Sequence, residues 1–246
     1  MQSFDFLEPA TNALDRESWM LVGGAMTLVH CLIAEVEYER PTRDVDIVVD
    51  PVGGSSLETV GRALERNSFV PVLGLQRNSP LHRFEDAAGY KIDVMGKDSD
   101  LTPDRWRGHR VVKCPGSKSA LGKLPNGSDK EVLEVQLGNG RAVRVPNVWS
   151  ALSIKGHALE LADGYKQRHV QDAIALFACA SGYQQKRALT KSERKGVNNI
   201  LSHEWLADLN NWTPLEKDYW PAALSEMRRL RPQGELGVHA LLTPFM

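Results

Sequence analysis

Short apolar runs, interrupted by glycines and charged residues, characterise the first part of the chain. Residues 19–22 (WMLV) are continuously apolar and predict a short buried strand that ends at Gly23 and Gly24. Residues 25–32 then have helical character. Residues 42–50 (TRDVDIVVD) combine an apolar run with alternating acids, which predicts a second buried strand. The predicted order is therefore strand, glycine turn, helix and strand.

The patterns that follow predict more strands and one amphipathic helix. Residues 55–67 carry their apolar positions on one side of a helix. Residues 81–84 and 90–96 predict strands. Residues 131–137 and 141–145 alternate in polarity around an Asn-Gly pair, which is a strong hairpin signal. Strands and helices thus alternate up to this hairpin. Residues 115–130, just before it, predict an exposed loop or an ordered flap.

The pattern becomes helical after the hairpin. Residues 147–161 and residues 166–180 each have apolar positions at helical spacing and predict two helices. We therefore predict an α/β (α+β) fold, with a mixed sheet and flanking helices in residues 1–146. A helical C-terminal domain is predicted for residues 147–246.

Three aspartates on the predicted strands are the main candidates for chemistry. Asp44 and Asp46 are two residues apart on a strand, so their carboxylates share a face. Two carboxylates held close together repel unless a cation lies between them, and a divalent metal would meet that need. Asp93 lies on the polar face of the later strand. The three acids together suggest a metal site.

The glycine pair suggests a phosphate site beside these acids. A helix N-terminus offers unpaired N–H groups and the positive end of the helix dipole, and glycine lets a phosphate approach the backbone. Each feature alone has an ordinary explanation, because Asp-x-Asp pairs arise by chance and an acid on a polar strand face is usually solvated. In this order, the features predict a cleft in which phosphate and metal meet.

These residues resemble the minimal nucleotidyltransferase fold of the DNA polymerase beta superfamily. The resemblance is carried by Gly23 and Gly24, by residues 43–46 (RDVD) and by residues 92–94 (IDV). The amino-acid sequence of the aspartate motif (TRDVD) is most similar to that of the abortive-infection type nucleotidyltransferase toxins of bacterial toxin–antitoxin pairs. The similarity is good over residues 18–97 and loose over residues 147–180.

The sequence departs from the family pattern in two places, at the glycine pair and on a later helix. The usual glycine-serine is glycine-glycine here, so the hydroxyl that would contact phosphate is missing at Gly24. The toxin-like families carry a Lys-Asp-x-x-Asp pattern on a later helix. This stretch reads HVQD at residues 169–172, so only the final acid matches.

The resemblance implies transfer of a nucleotide from a nucleoside triphosphate to a hydroxyl, with pyrophosphate as the leaving group. The metal would be Mg²⁺, with Mn²⁺ as the alternative. By the same resemblance, the metal ligands would be Asp44, Asp46 and Asp93, and Asp93 would also act as general base. The residues that would bind the triphosphate are Gly23, Gly24, Arg43 and Lys155. Asp172 would orient Lys155, and Arg168 would make a further contact with the nucleotide. The alternative for Arg43 is a pair with a surface acid, and for Lys155 and Asp172 it is a solvated helix face.

Composition limits the alternatives only slightly. The 246 residues are 42% hydrophobic and carry a formal net charge of −1, which argues against a surface built throughout to bind nucleic acid. The three cysteines are too few and too scattered for a disulfide framework or a zinc site. The first residues lack a signal-peptide pattern, and no apolar run reaches the roughly 18 residues of a membrane span. We expect a cytoplasmic protein that does not bind membranes.

Three functional hypotheses follow. The first is a metal-dependent nucleotidyltransferase that modifies RNA, in particular transfer RNA, as a toxin with a cognate antitoxin as partner protein. The second is transfer of a nucleotide to a small hydroxylated molecule of the antibiotic type. The third is a catalytically idle relative that binds a nucleotide or a protein.

Overall fold

The chain is a mixed α/β protein that divides into two compact units. The computed structural model describes residues 4–40, 42, 44–49, 55–74, 79–121, 132–137, 140–161, 166–183 and 188–231. The first unit comprises Met1–Val29 and Pro41–Asn147, and the second comprises His30–Arg40 and Val148–Met246. The predicted division after residue 146 assigns residues 30–40 to the first domain, whereas they group with the C-terminal part in the structure.

The first unit contains all the strands of the described residues and four of the helices. In chain order its elements are α1 (Glu8–Ala13), β1 (Met20–Val22), α2 (Gly23–Ile33, which ends in the second unit), β2 (Asp44–Val49), α3 (Leu57–Arg66), β3 (Val70–Pro71), β4 (Arg83–Glu85), β5 (Lys91–Lys97), β6 (Arg105–Trp106), β7 (His109–Arg110), β8 (Lys113–Cys114), α4 (Ser117–Ala120), β9 (Val132–Gln136) and β10 (Ala142–Pro146). Short 3₁₀ turns lie at Asp5–Leu7 and Arg16–Ser18.

The main sheet of the first unit is mixed. Its strand order is β1-β2-β5-β4-β3, and β8 pairs with the far end of β5. Strands β2 and β5 run parallel, whereas β1 is antiparallel to β2 and β4 is antiparallel to β5. Strand β2 lies between two neighbouring strands, and its apolar side chains on both faces are buried: Val45, Ile47, Val48 and Val49. The strands predicted before and after the glycine pair and around Asp93 are confirmed.

Helix α3 shows why local sequence predicted it well. The Ser56 hydroxyl accepts a hydrogen bond from the Thr59 backbone N–H at 3.0 Å, which caps the helix N-terminus. Leu57, Val60 and Leu64 face the interior and are buried. The predicted hairpin is also present, because β9 and β10 pair with Val135 opposite Val143. Its turn residues 138 and 139 lie outside the described residues.

The segment predicted as an exposed loop or an ordered flap begins with a short helix. Ser117, the first residue of α4, is buried. Its hydroxyl donates to the Cys114 carbonyl at 2.6 Å and accepts from the Asp98 backbone N–H at 2.8 Å. These two bonds hold the start of the segment against β8, which composition did not indicate. Lys118 on α4 is exposed, and residues 122–131 lie outside the described residues.

The second unit is helical, as predicted for the C-terminal region. Its helices are α5 (Val148–Ala158), α6 (Lys166–Ser181), α7 (Lys191–Leu201) and α8 (Trp220–Leu230), with 3₁₀ turns at Glu204–Ala207, Leu209–Asn211 and Lys217–Tyr219. Helices α5 and α7 pack so closely that a Cβ on Gly156 would lie 1.8 Å from the carbonyl oxygen of Gly196. Thr190 and Glu193 form a capping box at the start of α7. None of the helices in the described ranges has the length and apolar character to cross a membrane.

Candidate active site

The strand register of the first unit brings the three predicted aspartates side by side. Asp46 on β2 is paired with Asp93 on the parallel neighbour β5 and with Val22 on β1. In-register residues of adjacent strands project to the same face, and Asp44, two residues before Asp46, projects there too. The Asp44 side chain is 47% exposed, whereas that of Asp93 is only 11% exposed. The cluster therefore runs from solvent into the sheet.

Gly23 is the residue at which helix α2 meets this cluster. Its φ of +68° is a left-handed conformation that residues with a side chain rarely adopt. A Cβ at this position would lie 1.8 Å from the Oδ2 atom of Asp46. Backbone conformation and available space therefore both require glycine, and the Asp46 carboxylate packs directly against the first residue of the helix. Gly24, the second residue of α2, is buried.

Arg83 is a functional candidate that the sequence analysis missed. It lies on β4 directly opposite Asp93, and its Nε and Nη2 atoms donate to Oδ1 and Oδ2 of that carboxylate at 2.7 Å and 2.6 Å. Its Nη2 atom is also 4.0 Å from Oδ2 of Asp44. These hydrogen bonds to Asp93 and the charges of the three aspartates raise the pKa of Arg83, although partial burial acts in the opposite direction.

The sequence contained a weak signal for Arg83. Residues 81–84 predict a strand just before the Asp93 strand, and two consecutive strands often pair. Which residue stands opposite Asp93 depends on the register of that pairing, and a shift of one residue would turn Arg83 to the other face. The register became known only from the structure.

The donor chemistry of the cluster fits a hard divalent cation, because Asp44, Asp46 and Asp93 supply carboxylate oxygens. However, no group of three or more His, Cys, Asp or Glu side chains that could hold a metal ion is found among the described residues. Both oxygens of Asp93 are bonded to the Arg83 guanidinium. Arg83 of the same unit thus supplies a cation to Asp93, and its Nη2 atom lies 4.0 Å from Asp44.

Lys155 and Asp172 are brought together inside the second unit. The Lys155 ammonium donates to Oδ2 of Asp172 at 2.6 Å, and both side chains are buried. Arg40 donates to the same carboxylate with Nε at 2.8 Å and Nη2 at 3.1 Å, and the Tyr38 hydroxyl donates at 2.9 Å. One buried anion is thus surrounded by two cations and a phenol.

The electrostatics of this buried cluster are strongly coupled. Burial acts to raise the pKa of Asp172, but the charges of Lys155 and Arg40 outweigh it and lower that pKa. Burial and the Asp172 charge raise the pKa of Tyr38. Arg40 and Tyr38 stand 132 and 134 residues before Asp172 in the chain, so no spacing in the sequence linked them to it.

The other predicted residues have simpler positions. Arg168 is exposed on α6, and it belongs to the second unit with Lys155 and Asp172. Arg43, predicted to bind the triphosphate, lies outside the described residues. The second unit also contains a cavity of about 520 Å³ lined by residues that include Cys179, Tyr183 and Tyr219, and none of the predicted site residues is among them.

Comparisons with known proteins do not add a family to these observations. Neither protein-family models, nor curated proteins, nor solved structures gave a match to this chain. The resemblance to nucleotidyltransferases consequently rests on the motif residues themselves.

Proposed function

We propose that this protein is a metal-dependent nucleotidyltransferase and that its first unit is a minimal nucleotidyltransferase fold. The observation that carries the proposal is the arrangement around β2. Asp44, Asp46 and Asp93 share one face of two parallel strands, and Gly23 places a helix N-terminus against the Asp46 carboxylate. Carboxylates, which are typical ligands of hard metal ions, thus lie beside a helix N-terminus, which is a typical binding place for phosphate, and this arrangement supports the proposal.

In the proposed mechanism Asp44 and Asp46 would hold Mg²⁺, or Mn²⁺, together with Asp93. The metal, when bound, supplies charge stabilisation for the attacking and leaving oxygens of phosphoryl transfer. Asp93 would accept the proton of the attacking hydroxyl, and it must first lose its hydrogen bonds from Arg83 to do so. The backbone N–H groups that follow Gly23 would bind the triphosphate.

The acceptor is proposed from the resemblance alone. It implies RNA, in particular transfer RNA, and a cognate antitoxin as partner protein. Lys155, Asp172 and Arg168 keep their predicted roles as proposals. For Lys155 and Asp172 the buried ion pair is by itself a sufficient structural reason for their presence.

One observation favours a second candidate, a relative that binds a nucleotide or a protein without catalysis. Three close carboxylates without a cation would repel one another by on the order of a kcal/mol per pair, which argues for a bound metal. Arg83 neutralises part of that charge, so the cluster can persist without a metal. The presence of three acids is therefore weaker support for catalysis than the sequence suggested.

A labelling experiment separates these functions. The protein is incubated with Mg²⁺, total transfer RNA and each of the four nucleoside triphosphates labelled at the α-phosphate. The Asp44→Ala, Asp46→Ala double variant tests the cluster. Asp104→Asn is the matched control, because Asp104 belongs to the same unit and its side chain is 93% exposed.

The proposal expects label on RNA with the wild-type protein and with Asp104→Asn, and none with the double variant. Labelling that survives in the double variant would refute a role for these carboxylates. Label on an added aminoglycoside or lincosamide, and not on RNA, would identify a small-molecule transferase. Nucleotide binding without transfer to any acceptor would favour the idle relative.

A further inference from the structure

Arg83 is the charged residue of the candidate site to which the motif assigns no role. We propose that Arg83 is a built-in competitor of the divalent metal, so that a metal ion at Asp93 and the ion pair between Arg83 and Asp93 exclude each other. This inference concerns the metal site of the proposed function and rests on it. It makes Arg83 the residue that sets the metal affinity of the cluster.

Geometry is the first reason. The Arg83 guanidinium binds Asp93 in a forked arrangement, with one hydrogen bond to each carboxylate oxygen at 2.7 Å and 2.6 Å. Such a fork occupies lone pairs of both oxygens in the carboxylate plane. A metal ion needs the same oxygens at a distance of about 2.1 Å, so the two cations compete for one pair of ligand atoms.

Charge is the second reason. The same guanidinium lies 4.0 Å from the Asp44 carboxylate and is attracted by Asp46 as well. A metal held by these aspartates would stand within a few ångströms of a fixed positive charge, and like charges at that distance repel. Arginine does not lose its proton in proteins, so the repulsion ends only when the side chain moves.

The position of Arg83 permits such a movement. Its side chain is 33% exposed, and its strand β4 is only three residues long. Asp93 in contrast is 11% exposed and lies on the seven-residue strand β5, paired with Asp46 of β2 on one side and with Arg83 of β4 on the other. The more exposed guanidinium is therefore the group that moves away from Asp93 when a metal binds, while the carboxylate stays in place.

Metal binding, measured without any reaction, tests the proposal. Affinity for Mn²⁺ is measured by titration calorimetry and by the electron paramagnetic resonance signal of the free ion. The wild-type protein is compared with Arg83→Gln, which removes the charge, and Arg83→Lys, which keeps it but loses the fork. Arg62→Gln is the control, because Arg62 is an exposed arginine of the same unit that pairs with Glu58.

The expected result is Mn²⁺ binding about tenfold tighter in Arg83→Gln than in the wild type, since a partly exposed charge-assisted pair no longer has to be broken. Arg83→Lys should lie between the two, and Arg62→Gln should equal the wild type. Asp46→Asn should lose the binding, which places the ion at this cluster. Equal or weaker binding in Arg83→Gln, or no binding in any variant, overturns the proposal.

A second measurement keeps the test decisive if Arg83→Gln does not fold. In the wild type, the NMR signal of the Arg83 Nε–H group should move out of its hydrogen-bonded position as Mg²⁺ is added. A signal that stays unchanged while Mg²⁺ binds overturns the competition. Failure of the proposed function looks different: the metal affinities would change as expected, while no variant transfers a nucleotide.

Discussion

Replacing Asp172 by asparagine tests the energetic reasoning on the buried cluster of the second unit. The substitution keeps the shape of the side chain and removes its charge. Lys155 and Arg40 would then keep their positive charges beside a neutral amide, although Asp172 now accepts four hydrogen bonds from its neighbours. The Lys155 side chain is only 3% exposed, so water cannot replace the lost partner.

The expected loss is about 3–5 kcal/mol in the free energy of unfolding, the usual cost of removing one member of a buried ion pair. This is a large part of the 5–15 kcal/mol that stabilises typical domains. Glu160→Gln is the matched control in the same unit. Glu160 pairs with Lys195 at 2.8 Å, but its side chain is 44% exposed, so the change should cost less than about 1 kcal/mol.

Urea unfolding, followed by tryptophan fluorescence and far-ultraviolet circular dichroism, measures these differences. Coincidence of the two signals is required, because a chain with two compact units need not unfold in one step. Adding Lys155→Met to Asp172→Asn should recover part of the loss, because it removes the unpaired buried charge. A cost for Asp172→Asn no larger than that of Glu160→Gln would refute the argument.

The pH dependence has a definite sign. The pKa of Asp172 is lower in the folded protein than its ordinary value of 3.8. The ion pairs therefore stabilise the fold fully at neutral pH, and their contribution is lost as the pH falls below that value towards the lowered pKa. The difference in stability between the wild type and Asp172→Asn should accordingly shrink in strong acid.

Three further predictions concern other parts of the chain. Gly23→Ala should lower the melting temperature more than Gly89→Ala, because both glycines have positive φ but only Gly23 has no room for a Cβ; equal effects would contradict the close contact at the site. Arg107→Gln should raise the pKa of Glu58 from about 2 towards 4.5 in an NMR titration, because its hydrogen bonds to Arg107 are the main cause of the low pKa. The pKa of His203 should lie below 6.5, because burial and the nearby Lys166 disfavour its charged form. The folded state should therefore lose stability as the pH falls below 6.5 towards the lowered pKa. A measured pKa of 6.5 or higher would contradict this prediction.

Local pattern was sufficient for the elements around the candidate site. The apolar run before the glycines, the alternation around Asp44 and Asp46 and the capped helix α3 are features of neighbouring residues, and all appear in the structure. Whether such an element forms, and which of its side chains share a face, depends on residues only a few positions apart, because helices and strands repeat over two to four residues. The short helix α4 was missed because Ser117 is held by partners outside its own segment.

The sequence by itself determined that Asp44 and Asp46 share a face and that a helix follows the first strand at the glycine pair, although the predicted glycine turn is in fact the first two residues of α2. Only the tertiary structure decided that Asp46 pairs with Asp93, that Arg83 holds Asp93, and that Tyr38 and Arg40 meet Asp172. The physical reason is the range of the interactions. Periodicity acts between near neighbours, whereas strand order, register and buried charge pairing depend on how the whole chain excludes water from its core.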